Sequence, residues 1–344
     1  MTFFKRGGSF ARVGSTPMPI LRPALLTLTL GALAFAGAFA AQAQDYPNQS
    51  VKLVVPFVAG GGVDVAARII APRLAEELGQ PVVIENRGGA GGALATAAVA
   101  QSAPDGYTIL FGTGSTHGTN PNVYPKLPYD PVRDFTPIVL CTMSPLLLVV
   151  PPTLPVKSAA ELIALARSKP GELSFASYGT GSINHLGAEL FNSMAKIQAN
   201  HIPYRGAAPA LTDLIGGRIH YTFDGISTAM AYIQSGTIKT LGASGLQRTP
   251  IFPDVPTVAE TALPGFEFTT WFGFFAPAKT PSAIVELINR KTNNVLAMAS
   301  VKESFAKVGI ESAGGTPEAL ANKVKTEIEK WATIVREKNI RVDQ

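Results

Sequence analysis

Four short segments of this chain carry the residue types that grip a small anion. They read Pro56-Phe57-Val58-Ala59-Gly60-Gly61-Gly62-Val63-Asp64, Gly112-Thr113-Gly114-Ser115-Thr116-His117, Gly179-Thr180-Gly181-Ser182-Ile183-Asn184-His185 and Tyr204-Arg205-Gly206-Ala207-Ala208. Glycine lets backbone N–H groups come close to a ligand, and Thr and Ser hydroxyls add donors that rotate to fit. Where such a segment opens a helix, free N–H groups and a partial positive charge suit an anion, above all a carboxylate. Any one of these segments could equally be a tight strand-to-helix turn and nothing more. The Thr-Gly-Ser…His pattern occurs twice, which hints at two facing jaws. Arg205 and Asp224 are the charged residues expected at the cleft, the alternative being a salt bridge at the surface or between loops.

Other chemistries find less support. Gly88-Gly89-Ala90-Gly91-Gly92 looks like a phosphate loop but lacks the Gly-Lys-Ser/Thr ending, so it reads as mainly structural. No Gly-x-Ser-x-Gly elbow, no His-Glu-x-x-His and no metal-spaced pair of histidines occurs. His185 falls in the first turn of a helix, where a ligand hydrogen bond or a helix-start role is expected rather than general-base work. The reading is therefore of no enzyme, no catalytic residue, no metal and no cofactor.

The elements that must position these segments alternate. Strands are expected at residues 51–57, 82–85, 107–111, 146–150, 173–176, 200–204 and 219–223. Helices are expected from near Asp64, as its N-cap, to Gly79, and from the glycines at 88–92 to about Ala103. Others are expected at residues 159–168, after Ser182 and at 209–215. Pro72 should kink or divide the first helix, and residues 121–137 read as an extended connection. Thr280-Pro281 and Thr316-Pro317 should each open a helix as N-cap and first-turn proline. The second carries Leu320, Val324, Ile328, Trp331 and Val335 at helical spacing. The run Trp271-Phe272-Gly273-Phe274-Phe275 has strand spacing and reads as sheet core, with one edge free to line a cleft. The β-α-β-α-β order predicts an α/β fold: a parallel sheet with helices on both faces, in two lobes whose ligands sit beyond the carboxyl ends of strands.

The amino terminus sets the compartment. Lys5, Arg6, Arg12 and Arg22 lead into an apolar run over residues 24–40, followed at once by Ala41-Gln42-Ala43. This is an export signal expected to be cut after Ala43; the run is at the short limit for a membrane span. The lone cysteine, Cys141, is not at the cut site, so no lipid anchor is expected, and no intrachain disulfide can form. The whole chain has 29 basic and 24 acidic residues, and the signal holds four of the basic ones. The remainder is close to neutral, so nothing favours nucleic acid or an anionic membrane as partner. A soluble periplasmic protein is expected.

At these residues the chain resembles the Bug family, the extracytoplasmic receptors of tripartite tricarboxylate transporters. The resemblance rests on Pro56-Phe57…Gly60-Gly61…Asp64-Val65-Ala66-Ala67-Arg68, Gly79-Gln80-Pro81-Val82-Val83-Ile84-Glu85-Asn86-Arg87 and Pro104-Asp105-Gly106-Tyr107-Thr108. It continues in Tyr124-Pro125-Lys126-Leu127-Pro128-Tyr129-Asp130-Pro131, His185-Leu186, Pro203-Tyr204-Arg205-Gly206, Phe223-Asp224, Pro253-Asp254-Val255-Pro256-Thr257-Val258-Ala259-Glu260 and Trp271-Phe272-Gly273. The resemblance implies a type II periplasmic-binding-protein fold, with a ligand cleft between two lobes joined by crossing strands. Residues 45–144 with 269–344 would form one lobe and 145–268 the other. It implies that Phe57, Ala59, Gly60, Gly61 and Gly62, with Thr113, Gly114 and Ser115, hold a carboxylate from the first lobe, often through ordered water. Thr180, Gly181, Ser182, His185, Tyr204, Arg205, Gly206, Ala207 and Asp224 would face it from the second. The implied partners are a small organic carboxylate and the large and small membrane permease subunits, served by a monomer. Domain closure would present the ligand to the permease; the alternative is a periplasmic sensor that presents its closed form to a membrane signalling receptor. This chain departs from the family's pattern where Val58 and Ala59 replace prolines, Gly62 and Val63 replace hydroxyl residues, and Arg205 replaces a common lysine. Tyr178, before the third segment, could narrow or cap the pocket.

Overall fold

The computed structural model describes residues 7–11, Gly14 and residues 46–342. The apolar run and cleavage pattern of the expected export signal lie outside the described residues. Two compact units divide at Tyr46, and the second, Pro47–Gln344, holds every described strand and helix.

Its first half alternates as the sequence pattern predicts. Strand β1 (Val51–Val55) leads to helix α1 (Gly62–Leu78), β2 (Val82–Asn86), a 3-10 turn, α2 (Ala93–Ala100) and β3 (Thr108–Thr113). A π-helical turn (Ser115–Thr119) and the short α3 (Asn120–Val123) come next, so the proline-rich stretch is helical where it begins rather than extended throughout. Helix α1 runs unbroken through Pro72, against expectation. Its apolar face, Val63, Ala66, Ala67, Ile70, Ala71, Leu74 and Leu78, is buried, and that packing outweighs the lost hydrogen bond. Gly79 ends the helix in the left-handed region at φ 69°.

Strand β4 (Phe135–Val150) is the long element of the fold, at 16 residues or roughly 50 Å. It absorbs the separate strand expected at residues 146–150. The second half then adds α4 (Ala159–Ser168), β5 (Ser174–Ser177), α5 (Ile183–Ala195), β6 (Asn200–Pro203), α6 (Ala207–Ile215) and β7 (Tyr221–Gly225). Next come α7 (Ile226–Gln234), β8 (Lys239–Ala243) and α8 (Val258–Thr261), none of which the sequence pattern predicts. Strand β9 (Thr269–Pro277) returns to the first half, succeeded by α9 (Ser282–Ala297), α10 (Ala299–Lys307) and α11 (Pro317–Glu337).

The strands form one sheet in the order β2-β1-β3-β9-β4-β7-β5-β6, with β8 also on β4. It is mixed, not parallel. The β1, β2, β3 set and the β5, β6, β7 set are parallel within themselves, whereas β9 and β4 run antiparallel to their neighbours. Strand β4 bonds β9 as far as Pro145 and then β7 and β8 from Leu146 onward. It therefore carries the chain from one half to the other.

Two cores flank this junction. Val54, Leu110, Phe135, Trp271 and Phe275 pack in the first half. Phe175, Phe191, Tyr221, Phe223, Phe266 and Phe268 pack in the second. Helix α11 enters both, with Leu320 and Val324 in the first core and Trp331, Ile334 and Val335 in the second. The aromatic run of β9 is sheet core as expected: Trp271, Phe274 and Phe275 are buried and Phe272 is partly exposed. Thr316 caps α11 by accepting from the N–H of Ala319 at 3.2 Å. Thr280 does not cap α9. Pro281 takes the cap position, and the Thr280 hydroxyl turns back to donate to the Pro277 carbonyl at 2.8 Å. Among the described residues no helix is long and apolar enough to cross a membrane.

Candidate functional site

The β1–α1 loop is held from beneath. Gly60 has φ 89°, a conformation open mainly to glycine, and Gly61 is the N-cap of α1 with no side chain to offer. Asp64 is not the cap. It lies one turn into α1, 2% exposed, and its carboxylate reaches back to three donors. The Gly60 N–H donates at 2.8 Å, Arg68 Nε at 2.9 Å and Asn86 Nδ2 at 3.0 Å. Asn86 also donates to the Phe57 carbonyl at 3.2 Å, so the end of β2 pins both ends of the loop. Burial pushes the Asp64 pKa up, but the hydrogen bonds from Arg68, Gly60 and Asn86 outweigh it and hold the carboxyl below its ordinary range.

The β3 loop is buried throughout. The Thr113 N–H donates to Thr116 Oγ1 at 2.9 Å, and the Thr116 hydroxyl lies 2.9 Å from His117 Nδ1. His117 stacks on Phe275 at 3.9 Å, and burial lowers its pKa to about 3: it is a core histidine. Ser115 Oγ accepts from the Ile183 N–H at 3.4 Å, and the Thr119 hydroxyl donates to the Gly181 carbonyl at 2.6 Å. These two bonds join the β3 loop to the third segment, across the two halves. A Cβ on Gly114 would stand 3.2 Å from Trp271 Nε1, a buried donor with no partner.

The third segment, between β5 and α5, folds on its own side chains. The Ser182 hydroxyl lies within 2.6 Å of the Gly179 carbonyl and 2.8 Å of Asn184 Oδ1. His185 Nδ1 accepts from the Gly181 N–H at 3.0 Å, a helix-start role, and the ring stacks on His201 at 3.7 Å. Burial, with the neighbouring His201, lowers its pKa to about 3. In the fourth segment the Tyr204 hydroxyl donates to Asp213 at 2.7 Å. Arg205 is exposed and, among the described residues, makes no hydrogen bond or ion pair. The surface salt bridge held open for it is absent there.

Asp224, at the carboxyl end of β7, is fully buried. Its Oδ1 accepts from the Thr228 hydroxyl at 2.5 Å and from the Tyr178 hydroxyl, while Oδ2 has no partner. Burial raises its pKa to about 7 against the pull of Thr228 and the Gly225 N–H. Among the described residues Asp224 makes no salt bridge either. Its helix, α7, supplies a contact absent from the sequence-based expectation: a Cβ on Gly62 would lie 3.3 Å from Ser227 Oγ and 3.6 Å from the Phe272 ring. The run Gly225-Ile226-Ser227-Thr228 follows β7, so the signal was a fifth Gly-and-hydroxyl loop after a strand. Asn86 gave no comparable signal, because its partners are distant in sequence.

The start of α1 thus meets the start of α7, and the β3 loop meets the start of α5. The N-caps of α1, α5, α6 and α7 (Gly61, Ser182, Gly206 and Gly225) make no side-chain capping bond. The helices that are capped by a side chain, α4 by Ser158, α8 by Thr257 and α11 by Thr316, follow none of the candidate segments. Helices α2, α3, α9 and α10 are also uncapped, so lack of a cap alone does not mark the site. What marks it is four uncapped starts at the carboxyl ends of β1, β5, β6 and β7 in one sheet. Two surface hollows, of about 680 and 410 Å³, lie elsewhere. Tyr124, Leu127 and Arg133 line the first, Arg73, Glu76 and Ser304 the second. Among the described residues no group of three or more His, Cys, Asp or Glu is placed to hold a metal.

Residues 66–340 match the family described as tripartite tricarboxylate transporter family receptor. Protein BugT of Bordetella pertussis is 38% identical over 296 residues, covering 86% of this chain and 91% of BugT. The structure of R. palustris Rpa4515 with adipate is similar at TM-score 0.82 and 39% identity, covering 86% of this chain and 99% of that one. MatC from Rhodopseudomonas palustris with bound malate is similar at TM-score 0.78 and 37% identity, over 84% of this chain and all of that one (100%). The chain therefore belongs to the tripartite tricarboxylate transporter receptors, the Bug family, and has their two-lobed periplasmic-binding-protein fold.

Proposed function

We propose that this protein is a periplasmic receptor that captures a small organic carboxylate between two lobes, residues 45–144 with 269–344 and residues 145–268. It would hand the ligand to the large and small permease subunits of a tripartite tricarboxylate transporter. The observation that carries the reading is the set of uncapped helix starts at Gly61, Ser182, Gly206 and Gly225, three of which, those at Gly61, Ser182 and Gly225, face partners from the other half of the sheet. Their first-turn N–H groups, which no capping side chain claims, offer donors and partial positive charge to an anion; that of Ile183 already meets Ser115 Oγ. The adipate and malate in the two neighbouring structures support the same ligand class.

In this reading Phe57, Ala59, Gly60, Gly61 and Gly62, with Thr113, Gly114 and Ser115, form one jaw. Thr180, Gly181, Ser182, His185, Tyr204, Arg205, Gly206, Ala207 and Asp224 form the other. Arg205, exposed and without a hydrogen-bond or ion-pair partner among the described residues, is a cation placed to meet a second carboxylate. Closure would bend the crossing region of β4 and β9 and expel water from the cleft. Helix α11, rooted in both cores, limits how far the lobes separate.

The test is thermal unfolding of residues 44–344 with a panel of mono-, di- and tricarboxylic acids, alongside neutral sugars and amines. A ligand at about 100 times its dissociation constant adds roughly 2.7 kcal/mol. A shift in unfolding midpoint with one class of acid is expected. A shift only with neutral or cationic compounds contradicts the reading.

A further inference from the structure

We infer that Asp224 meets the ligand as an uncharged carboxyl group, donating its O–H to a ligand carboxylate, so that capture takes up the ligand together with a proton. The inference rests on the carboxylate reading above and adds its dependence on pH.

Geometry carries it. Asp224 is fully buried at the end of β7, three residues before Ser227, which faces Gly62 across the two halves. Oδ1 already accepts from two hydroxyls, those of Tyr178 and Thr228. A proton on the group therefore belongs on Oδ2, and Oδ2 has no acceptor in the protein. A buried donor left unpaired is costly, and native structures rarely leave one without a role. A second buried donor lies in the first turn of α5, next to the loop that carries Tyr178. Asn184 Nδ2 has no partner, although Asn184 Oδ1 accepts from the Tyr178 N–H at 3.3 Å. Tyr178 thus ties one orphaned donor to the other and is itself only half-buried.

The charged surroundings leave Asp224 to itself. Strands β4, β5 and β7 bring no charged side chain near it, and α7 brings only the phenol of Tyr232. On α5, His185 pairs with His201, and Glu189 with Lys338 at 3.7 Å. On α6, Asp213 pairs with Arg218 at 2.7 Å. In the β6–α6 loop, Arg205 is turned to solvent. Among the described residues no cation stabilises an ionised Asp224, so burial keeps the proton on it until about pH 7. Once ionised, it would set a negative charge against the incoming carboxylate. The proton remains on Oδ2 and is shared with the ligand oxygen; no covalent bond to the ligand forms or breaks.

The test compares wild-type residues 44–344 with Asp224→Asn, which keeps a neutral donor of the same shape. Both are unfolded thermally from pH 4 to pH 8.5, alone and with acetate, benzoate, succinate, adipate, malate or citrate. Without ligand, the wild type should lose stability relative to the variant as pH rises from about 4 to about 7, and no further above it. With a binding acid, wild-type affinity should fall about 30-fold between pH 5.5 and pH 8.5, while the affinity of the variant, whatever its level, should not change with pH over that range. Calorimetry in buffers of different ionisation enthalpy should show proton uptake by the wild type at pH 8 and none by the variant. Equal pH profiles for the two unliganded proteins would overturn the inference, and so would a wild-type affinity that does not fall between pH 5.5 and pH 8.5. If no acid shifts either protein, the carboxylate reading itself fails and takes this inference with it.

Discussion

Replacing Asp64 with alanine tests whether the first ligand loop is held by a carboxylate tether. The change removes the acceptor of three hydrogen bonds, from Gly60, Arg68 and Asn86. A hydrogen bond to a charged partner is worth about 1.5–3 kcal/mol net. The exposed Gly60 N–H recovers water, and the Arg68 pair is screened by solvent, so neither counts in full. The half-buried Asn86 amide keeps its bond to Phe57 but loses the one to Asp64. Together these leave a predicted loss of about 2–4 kcal/mol. For a chain of this size that lowers the unfolding midpoint by about 3–6 °C. The Asp64 pKa is held below its ordinary value, so its contribution is present above the usual carboxylate range and lost as pH falls through the lowered value. The gap between wild type and variant should therefore close in acid. Melting curves at pH 7 and pH 3 check both points. Unchanged stability with lost ligand binding would refute the tether and make Asp64 a direct ligand group.

Contacts elsewhere in the fold lead to further expectations. Gly181→Ala places a methyl group 2.5 Å from Val123 Cγ2 at φ 81°, so it should cost about 2–4 kcal/mol in denaturant unfolding and weaken ligand binding with it. His117, His185 and His201 stay neutral in the fold, with pKa values of about 3, 3 and 4, while the unfolded chain protonates them near pH 6.5. Stability should thus fall as pH drops from 6.5 toward 4, by about 1.4 kcal/mol per pH unit for each histidine. His185→Gln should make that slope shallower in a pH series of melts. Cys141 is buried with its thiol pKa raised, so a thiol reagent should label it only after denaturant is added.

Much of this fold was legible because local chemistry agreed with the tertiary outcome. Thr316-Pro317 opens α11 as its residue types require, and Gly79 ends α1. Where the same pattern failed, a neighbour had claimed the group: the turn after β9 takes the Thr280 hydroxyl and leaves Pro281 at the cap. Strand β4 was hidden by its prolines. Pro137 sits where the register with β9 shifts, and Pro145 where pairing passes from β9 to β7, both places that tolerate a missing N–H. The loops of the candidate site could be read from glycine and hydroxyl content. Their roles could not, since Asp64 looks like a cap until Asn86, 22 residues away, is seen to share it. The unpaired oxygen of Asp224 likewise depends on Tyr178, 46 residues distant in sequence.

The central claim is that free helix starts on both sides of one sheet grip a carboxylate. Amide resonances of residues 44–344, tracked by NMR while the best acid of the panel is added, test it most directly. The account predicts large shifts at Gly61, Gly62, Ser115, Ile183, Asn184, Ala207, Ile226 and Ser227 together, at one saturating concentration. Shifts confined to the hollow lined by Tyr124, Leu127 and Arg133, with those amides unmoved, would contradict it.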